Sequence, residues 1–170
     1  LIPTYGSVRT RLQDTVGGAG TSSDFNSEEG VLFVEISALA DDLTNRSIRI
    51  SDGSSLNYVS IRFNDGGSNR IYTRVNVASA LEYFNLDESQ NITDTNKIAI
   101  RYKDSDFATF INGVKVSSQT SGSSFPINTL NDLSFNGITA SSEPFFGKTS
   151  QVQVFKTALS DFELQQLTTI

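Results

Sequence analysis

Apolar residues recur at every second position in several short runs of this sequence. In residues 57–63, Val59, Ile61 and Phe63 alternate with polar neighbours, and the same period runs through residues 70–77. Because successive side chains of a β-strand point to opposite faces, this pattern predicts half-buried strands with one face in water. Further strand candidates are residues 31–37, 47–51, 97–103, 114–119, 130–135 and 150–156, and we expect a first strand within residues 8–15.

Turn-forming residues stand between these runs. Asp-Gly pairs occur at 52–53 and 65–66, and an Asn-Gly pair occurs at 112–113. Such pairs tolerate the positive φ that a two-residue hairpin turn needs, so we expect positive φ at both Asn112 and Gly113. Many short strands joined by turns favour an antiparallel sandwich or barrel. The longer polar stretches, 17–30 and 117–126, are predicted to be surface loops.

Only the C-terminal stretch LSDFELQQLTT has helical character. Ser160 is a candidate N-cap, and Glu163 stands three residues later, which is the spacing of a capping box. Leu159 and Leu164 occupy the positions of a hydrophobic staple. The segment is short, so packing against the rest of the molecule must stabilise it.

The composition suits one domain and excludes several chemistries. A chain of 170 residues is long enough to bury a sizeable core. It contains no Cys and no His, which excludes disulfides, thiolate metal sites and histidine-based catalysis. The net charge of −6 argues against nucleic acid or an anionic membrane as a partner. No apolar run approaches the roughly 18 residues of a membrane span, so we expect no membrane insertion.

Two stretches carry a family resemblance. They are NKIAIRYKDSDFATFINGVKVSSQ and FFGKTSQVQVFKTALSDFELQQL, and their order resembles the C-terminal half of laminin-G-like, concanavalin A-like lectin/glucanase domains. The matching residues are Tyr102, Asp104, Phe110, Asn112, Gly113, Phe146, Gly147, Val152, Val154, Phe155, Ala158, Leu159, Ser160 and Glu163.

The resemblance implies an all-β fold: an antiparallel β-sandwich of the concanavalin A-like jelly-roll type with one short C-terminal helix. We expect residues 1–170 to form a single such domain, excised from a longer protein. The N-terminal half, in LIPTYGSVRTR, FNSEEGVLFVEISALADD and IRISDGSS, is similar to domains of this kind in phage virion proteins. This implies a virion or extracellular location.

Neither catalysis nor a cofactor is predicted. Glucanases of this fold carry carboxylates spaced E-x-D-x-x-E on one strand, and this spacing is absent here, so we expect no enzyme activity. Calcium is the one metal to consider, because oxygen-rich loops can pool six to eight ligands. Its weak candidates are Asp52, Asp65 and Asp104, and the alternative is that these residues only form turns.

The polar sides of two successive strands carry the most suggestive residues. Tyr58, Arg62, Tyr72, Arg74 and Asn76 would form one patch if those strands are neighbours. Tyrosine can stack on a sugar ring, and arginine can hold a carboxylate or sulfate through two hydrogen bonds. The alternative is that each arginine is a solvated strand residue with an acidic neighbour across the sheet.

These observations predict a non-catalytic carbohydrate-binding or adhesion module, carried on a phage particle, that recognises surface glycans. The arginines suggest that the glycan is acidic. The alternative is a structural decoration or assembly domain of a virion that binds no glycan. Homo-oligomers would form through the parent protein.

Overall fold

The computed structural model describes residues 16–64, 66–137 and 142–170. These residues form ten strands and one helix. In chain order they are β1 (Glu29–Ala38), β2 (Arg46–Ser51), β3 (Tyr58–Phe63), β4 (Ile71–Val77), β5 (Ala80–Asp87), β6 (Asn96–Lys103), β7 (Phe107–Ile111), β8 (Val114–Gln119), β9 (Asp132–Ser134), β10 (Gly147–Phe155) and α1 (Asp161–Thr168).

The strands form two five-stranded sheets. Sheet A has the order β5-β4-β3-β2-β9, and sheet B has the order β10-β1-β6-β7-β8. Every pairing between these strands is antiparallel. The predicted all-β sandwich of jelly-roll type is therefore confirmed, together with its short C-terminal helix.

The main core lies between the two sheets. The alternating apolar residues of the strands meet there: Ile50 and Ile61 come from sheet A, and Leu32 and Ile100 come from sheet B. All four side chains are fully buried. At about 25 cal/mol per Å² of buried apolar surface, this inter-sheet layer is the main favourable contribution to folding.

A second apolar cluster lies on the outer face of sheet B. Val31, Phe33 and Phe110 point away from the main core and pack with Leu164 of α1. The helix contacts β6, β7 and β8. Its N-cap is Ser160, with the reciprocal capping-box bond from Glu163, as the sequence predicts.

The Asn112-Gly113 turn also has the predicted geometry. Asn112 has φ of 50° and Gly113 has φ of 81°, so the pair forms a two-residue turn between β7 and β8. The turn supports the end of α1, because the Gly113 backbone N–H donates to Thr168 Oγ1 at 3.2 Å.

Several predicted boundaries need correction. Residues 80–87, not predicted as a strand, form edge strand β5, and the predicted strand 130–135 is reduced to β9. Strand β1 begins at Glu29, inside the predicted loop 17–30, and β8 extends to Gln119 within the predicted loop 117–126. The first strand expected in residues 8–15 lies outside the described residues.

The expectation of one wet face for each strand is wrong for the middle of sheet A. In β2 and β3 all residues except Arg62 are buried, although half of them point away from the core. Large outward-pointing side chains cover the small ones beside them, so Ser60 is only 1% exposed. In the described ranges, no helix has the length and apolar character needed to cross a membrane.

Candidate functional site

The pairing of β3 with β4 brings the predicted site residues together. Tyr58 lies opposite Asn76, and Arg62 lies opposite Tyr72. Arg74 lies opposite Ser60, between these two pairs. We call the outer surface of sheet A that carries Tyr58, Arg62, Tyr72, Arg74 and Asn76 the arginine–tyrosine face. The sequence predicted this patch on the condition that the strands are neighbours, and they are.

Each arginine of this face lies over an aromatic ring. The Arg62 Cζ is 6.0 Å from the centroid of Tyr72, and the Arg74 Cζ is 5.8 Å from the centroid of Tyr58. These distances suit cation–π attraction, which holds a guanidinium flat on a ring. In the pairing of β3 with β4, Tyr72 lies opposite Arg62 and Ser60 lies opposite Arg74, so neither arginine has an acidic residue directly opposite it in this pairing.

The two arginines differ in how their charge is balanced. Arg62 Nη2 lies 3.2 Å from Glu143 Oε2, in the loop before β10. Arg74 Nε donates to Asn76 Oδ1 at 2.6 Å, which leaves its charge uncompensated by that partner. Within the described ranges, Arg74 forms no ion pair. A negatively charged ligand would therefore meet its strongest attraction at Arg74.

A third arginine, which the sequence did not single out, lies on the same outer face of sheet A, where Arg49 is opposite Ser60 and Ser60 is opposite Arg74. Arg49 on β2 is only 4% exposed and donates from Nε to Ser134 Oγ. Burial lowers the pKa of its guanidinium, and the charge of Asp132 opposes that shift. Arginine remains protonated in proteins. Arg49 therefore adds positive charge next to the arginine–tyrosine face while being little accessible to a ligand.

Burial also shifts the pKa of Tyr58, which lies among these arginines. It raises the pKa of the Tyr58 hydroxyl, while the nearby guanidinium groups of Arg74 and Arg62 act in the opposite direction. Tyr58 is 8% exposed and Asn76 is 4% exposed. These two residues therefore position Arg74, whereas the half-buried Tyr72 and Arg74 side chains are open to a ligand.

Strand β5 adds an apolar border that the sequence did not reveal. Phe84 lies opposite Arg74, and Leu86 lies opposite Tyr72. Their side chains are 54% and 40% exposed, and the rings of Phe84 and Tyr72 are 6.2 Å apart. An open apolar surface thus adjoins the uncompensated charge of Arg74.

A bulge explains why this border was missed. Val75 pairs with Tyr83, but Asn76 pairs with Leu81, so β5 has one extra residue at this point. The bulge shifts the two-residue alternation, and apolar residues then occur on both faces of the strand. Only the apolar content of residues 80–87 could have indicated a strand.

Of the calcium candidates, Asp52 and Asp104 are engaged by neighbouring residues. Asp52 accepts hydrogen bonds from Ser54 and from the Asn57 side chain. Asp104 accepts from the Ser124 backbone and lines an open pocket of about 280 Å³ with Glu28 and Glu29. Asp65 lies outside the described residues. Among the residues that are described, no group of three or more acidic side chains converges as a metal site would require.

Comparison with known families identifies the fold. A family profile described as the concanavalin A-like lectin/glucanases superfamily matches residues 34–165. The chain belongs to this superfamily. The match spans both sheets and most of the helix, so the superfamily membership rests on the whole sandwich and not on one motif. No curated protein sequence matches the chain.

Several solved structures superpose on most of the chain. The CBM40 of the Ruminococcus gnavus IT-sialidase, bound to α2,3-sialyllactose, has a TM-score of 0.69 at 15% identity and covers 94% of this chain and 96% of its own. The Limulus polyphemus SAP-like pentraxin has a TM-score of 0.67 at 10% identity, with 92% and 76% covered. The leech intramolecular trans-sialidase has a TM-score of 0.66 at 16% identity, and the match covers 94% of this chain and 27% of the leech protein. At these identities the likeness shows the fold.

Proposed function

We propose that this domain is a non-catalytic carbohydrate-binding module that binds acidic glycans on the arginine–tyrosine face. The observation that carries the proposal is the position of Arg74. Its charge has no ion-pair partner among the described residues, and it adjoins Tyr72 and the exposed Phe84, in a chain whose net charge is −6. An accessible cation beside an apolar surface suits a ligand that is both anionic and ring-shaped.

The face supplies two complementary contacts. Because Arg74 Nε is held by Asn76, the two Nη groups are left to donate to a carboxylate in parallel. The rings of Tyr72 and Phe84 offer a surface on which the apolar face of a sugar can stack. The cation–π contact with Tyr58 fixes the guanidinium before the ligand arrives, which lowers the entropy cost of binding.

Two further observations favour a carboxylate sugar and a non-catalytic role. CBM40 domains of the same fold have been solved bound to α2,3- and α2,6-sialyllactose, whose sialic acid carries a carboxylate. The chain also lacks the E-x-D-x-x-E spacing of glucanases and contains no histidine. Sialylated oligosaccharides are therefore the first ligands to test, ahead of uronic acids and sulfated sugars.

The location we propose is a virion or another extracellular surface. It rests on the similarity of the N-terminal half to domains of phage virion proteins. An open sheet face of this kind binds weakly as a single copy, and several copies on one particle would raise the avidity. We propose that such copies are brought together by the parent protein.

The test is a glycan array followed by titration. Wild-type protein, displayed in several copies on a bead, should bind sialylated or uronic-acid glycans and not their neutral counterparts. Arg74→Ala and Tyr72→Ala should each weaken binding about tenfold or more without unfolding the domain, because neither side chain is in the core. Lys148→Ala removes the same charge from an exposed position on sheet B and should leave binding unchanged.

Salt dependence gives a second readout. Binding through Arg74 should weaken as ionic strength rises, because the site is partly open to solvent. Unchanged affinity in both site variants would place the site elsewhere, for example in the pocket lined by Glu28 and Asp104. Absence of binding to every acidic glycan would contradict the proposal and favour the structural role on a virion.

A further inference from the structure

The hairpin turn between β4 and β5 adjoins the arginine–tyrosine face and has an unusual backbone for its sequence. Its two residues, Ala78 and Ser79, have φ of 48° and 71°, so both lie in the left-handed region. The Asn112-Gly113 turn has nearly the same pair of angles, 50° and 81°, with the residue types that favour them. Because alanine and serine seldom adopt positive φ, the sequence of the β4–β5 turn does not explain its shape.

The loop between β2 and β3, residues 52–57, supplies the missing constraint. The Oδ1 of Asn57 accepts a hydrogen bond from the Ala78 backbone N–H at 2.8 Å. The carbonyl oxygen of the preceding residue, Leu56, accepts from the Ser79 N–H at 2.9 Å. Backbone in a sparsely populated region persists where the surrounding structure fixes it, and these two bonds fix both N–H groups of the turn.

Asn57 is itself held in place within its loop. Its Nδ2 donates to Asp52 Oδ2 at 2.8 Å, and its backbone carbonyl accepts from the Asp52 N–H at 3.2 Å. Asp52 also accepts from the backbone N–H and the hydroxyl of Ser54. Because the donor side of the Asn57 amide is engaged by Asp52, its acceptor side is directed at the turn.

The turn is connected to Arg74 through one further residue. Asn76 Nδ2 donates to the Ser79 carbonyl oxygen over a long distance, 3.5 Å, and Asn76 Oδ1 accepts from Arg74 Nε at 2.6 Å. A carbonyl beside the nitrogen of the amide directs its oxygen toward the arginine. A bond as long as that to Ser79 is easily lost when the turn moves, so the orientation of Arg74 depends on the shape of the turn.

We propose that Asn57 is a positioning residue for the ligand site, because it holds the Ala78–Ser79 turn in its left-handed form and thereby orients Arg74 through Asn76. This inference rests on the proposed function, in which Arg74 binds the anionic group of a glycan. Asn57 supplies none of the proposed ligand contacts. Its effect on affinity passes through the turn.

The experiment measures affinity for α2,3-sialyllactose in variants that remove the Asn57 bond or make it unnecessary. Asn57→Ala removes the acceptor of the Ala78 N–H and should weaken binding about fivefold, the size expected for one hydrogen bond. The double variant Ala78→Asn/Ser79→Gly gives this hairpin the residues of the 112–113 turn. Since that pair favours positive φ at both positions, the double variant should unfold at a higher temperature and keep the wild-type affinity.

Combining these changes tests whether Asn57 acts through the turn. In Asn57→Ala/Ala78→Asn/Ser79→Gly the turn keeps its shape without the Asn57 bond, so the affinity should return to about the wild-type value. A merely structural role of Asn57 would lower stability and leave the affinity of the folded protein unchanged. Asn91→Ala is the matched control. Asn91 also accepts a backbone N–H, that of Thr93, in the loop between β5 and β6, and its loss should leave affinity unchanged.

A second readout needs no ligand. The Nε–H of Arg74 donates to Asn76, so its NMR signal should exchange slowly with solvent in wild type. The exchange should quicken in Asn57→Ala and return to the wild-type rate in the combined variant. Asn91→Ala should not change it.

The outcomes separate this inference from the proposed function. If wild type binds sialyllactose and Asn57→Ala binds it equally well, or if the combined variant recovers neither affinity nor slow exchange, the role of Asn57 is wrong and the glycan-binding face stands. If wild type binds no acidic glycan, the proposed function is contradicted and the ligand-site role of Asn57 falls with it. The exchange rates then still decide whether Asn57 orients Arg74.

Discussion

The outer faces of the two sheets differ in polarity and in whether another element covers them. On sheet B, Val31, Phe33 and Phe110 form an apolar surface, and α1 covers it with Leu164. On sheet A, the equivalent surface carries arginine and tyrosine, with Arg74 and Tyr72 left half-buried and open to solvent. The only helix in the described residues packs on sheet B.

The difference follows from the free energy of exposing each face to water. An apolar face must be covered, because each large side chain returned to water costs about 1.5–3 kcal/mol. A face of stacked arginine and tyrosine needs no such cover, since its guanidinium groups are well solvated at their edges. We therefore expect substitutions around α1 to change stability, and substitutions on the arginine–tyrosine face to change binding.

Removing Leu164 should have the largest effect on the covered face. Its side chain is 0% exposed, so Leu164→Ala leaves a cavity and should lower the free energy of unfolding by about 2–5 kcal/mol. Phe162→Ala, in the same helix, removes a side chain that is 70% exposed and should cost less than about 0.5 kcal/mol. Urea unfolding measures both, and equal losses would show that α1 does not seal sheet B.

The Asn112-Gly113 turn comes next, because it contacts the end of α1. Gly113→Ala should cost about 1–2 kcal/mol, since alanine is disfavoured at the φ of 81° that the glycine adopts. The new methyl group would also come within 3.2 Å of Thr169 Oγ1. Gly53 is a matched control, with the same φ of 81° and no atom near its Cβ position. A smaller loss for Gly113→Ala than for Gly53→Ala would contradict the contact with the helix end.

The N-terminus of α1 depends on its cap. Ser160→Ala removes the acceptor for the Glu163 backbone N–H and should lower stability by about 1 kcal/mol. Glu163→Gln keeps a side chain that can accept from the Ser160 backbone N–H and should cost less. The midpoint of thermal unfolding reports both changes. An unchanged midpoint in Ser160→Ala would mean that packing alone holds the helix on sheet B.

The smallest effect should be a pH dependence at the first residue of α1. The hydrogen bond from Lys115, followed by the charge of Arg101, lowers the pKa of the Asp161 carboxyl, against the opposing effect of burial. A lowered pKa in the folded state gives stability that is present above about pH 3.9, the usual value for aspartate, and lost as the pH falls through the folded pKa. Asp161→Asn should therefore be less stable than wild type at pH 7.

The same variant at low pH is the check on this assignment. As the pH falls below the usual aspartate value and through the lowered folded pKa, the wild-type carboxylate becomes protonated, and the gap between wild type and Asp161→Asn should shrink. Urea unfolding at the two pH values measures the gap. A gap of the same size at pH 7 and at low pH would mean that the ion pairs of Asp161 with Arg101 and Lys115 do not stabilise the helix.

The sequence predicted much of the sandwich and the centre of the site because both depend on short-range patterns. Alternation in residues 57–63 and 70–77 fixed which side chains leave the core, and the short connection between these runs made them neighbours. Short sequence patterns also identified the Asn112-Gly113 turn and the Ser160 N-cap. In each case, a few consecutive residues determine the geometry.

The remainder of the site depends on contacts between distant residues. Glu143 reaches Arg62 from a loop far along the chain, and no local pattern links the two. Arg49 is buried by its neighbours across the sheet, which alternation alone cannot show. The exposed Phe84 was missed because a bulge in β5 breaks the two-residue period. The location, the oligomeric state and the parent protein stay predictions.

Mapping the ligand onto the two outer faces tests the central claim most directly. Amide and arginine side-chain N–H signals of ¹⁵N-labelled protein would be followed by NMR during titration with α2,3-sialyllactose, with lactose as the neutral control. We predict shifts at Tyr72, at Asn76 and at the Nε–H of Arg74, and no shifts around α1 or with lactose. Shifts confined to sheet B or to the pocket lined by Glu28 and Asp104 would contradict the account.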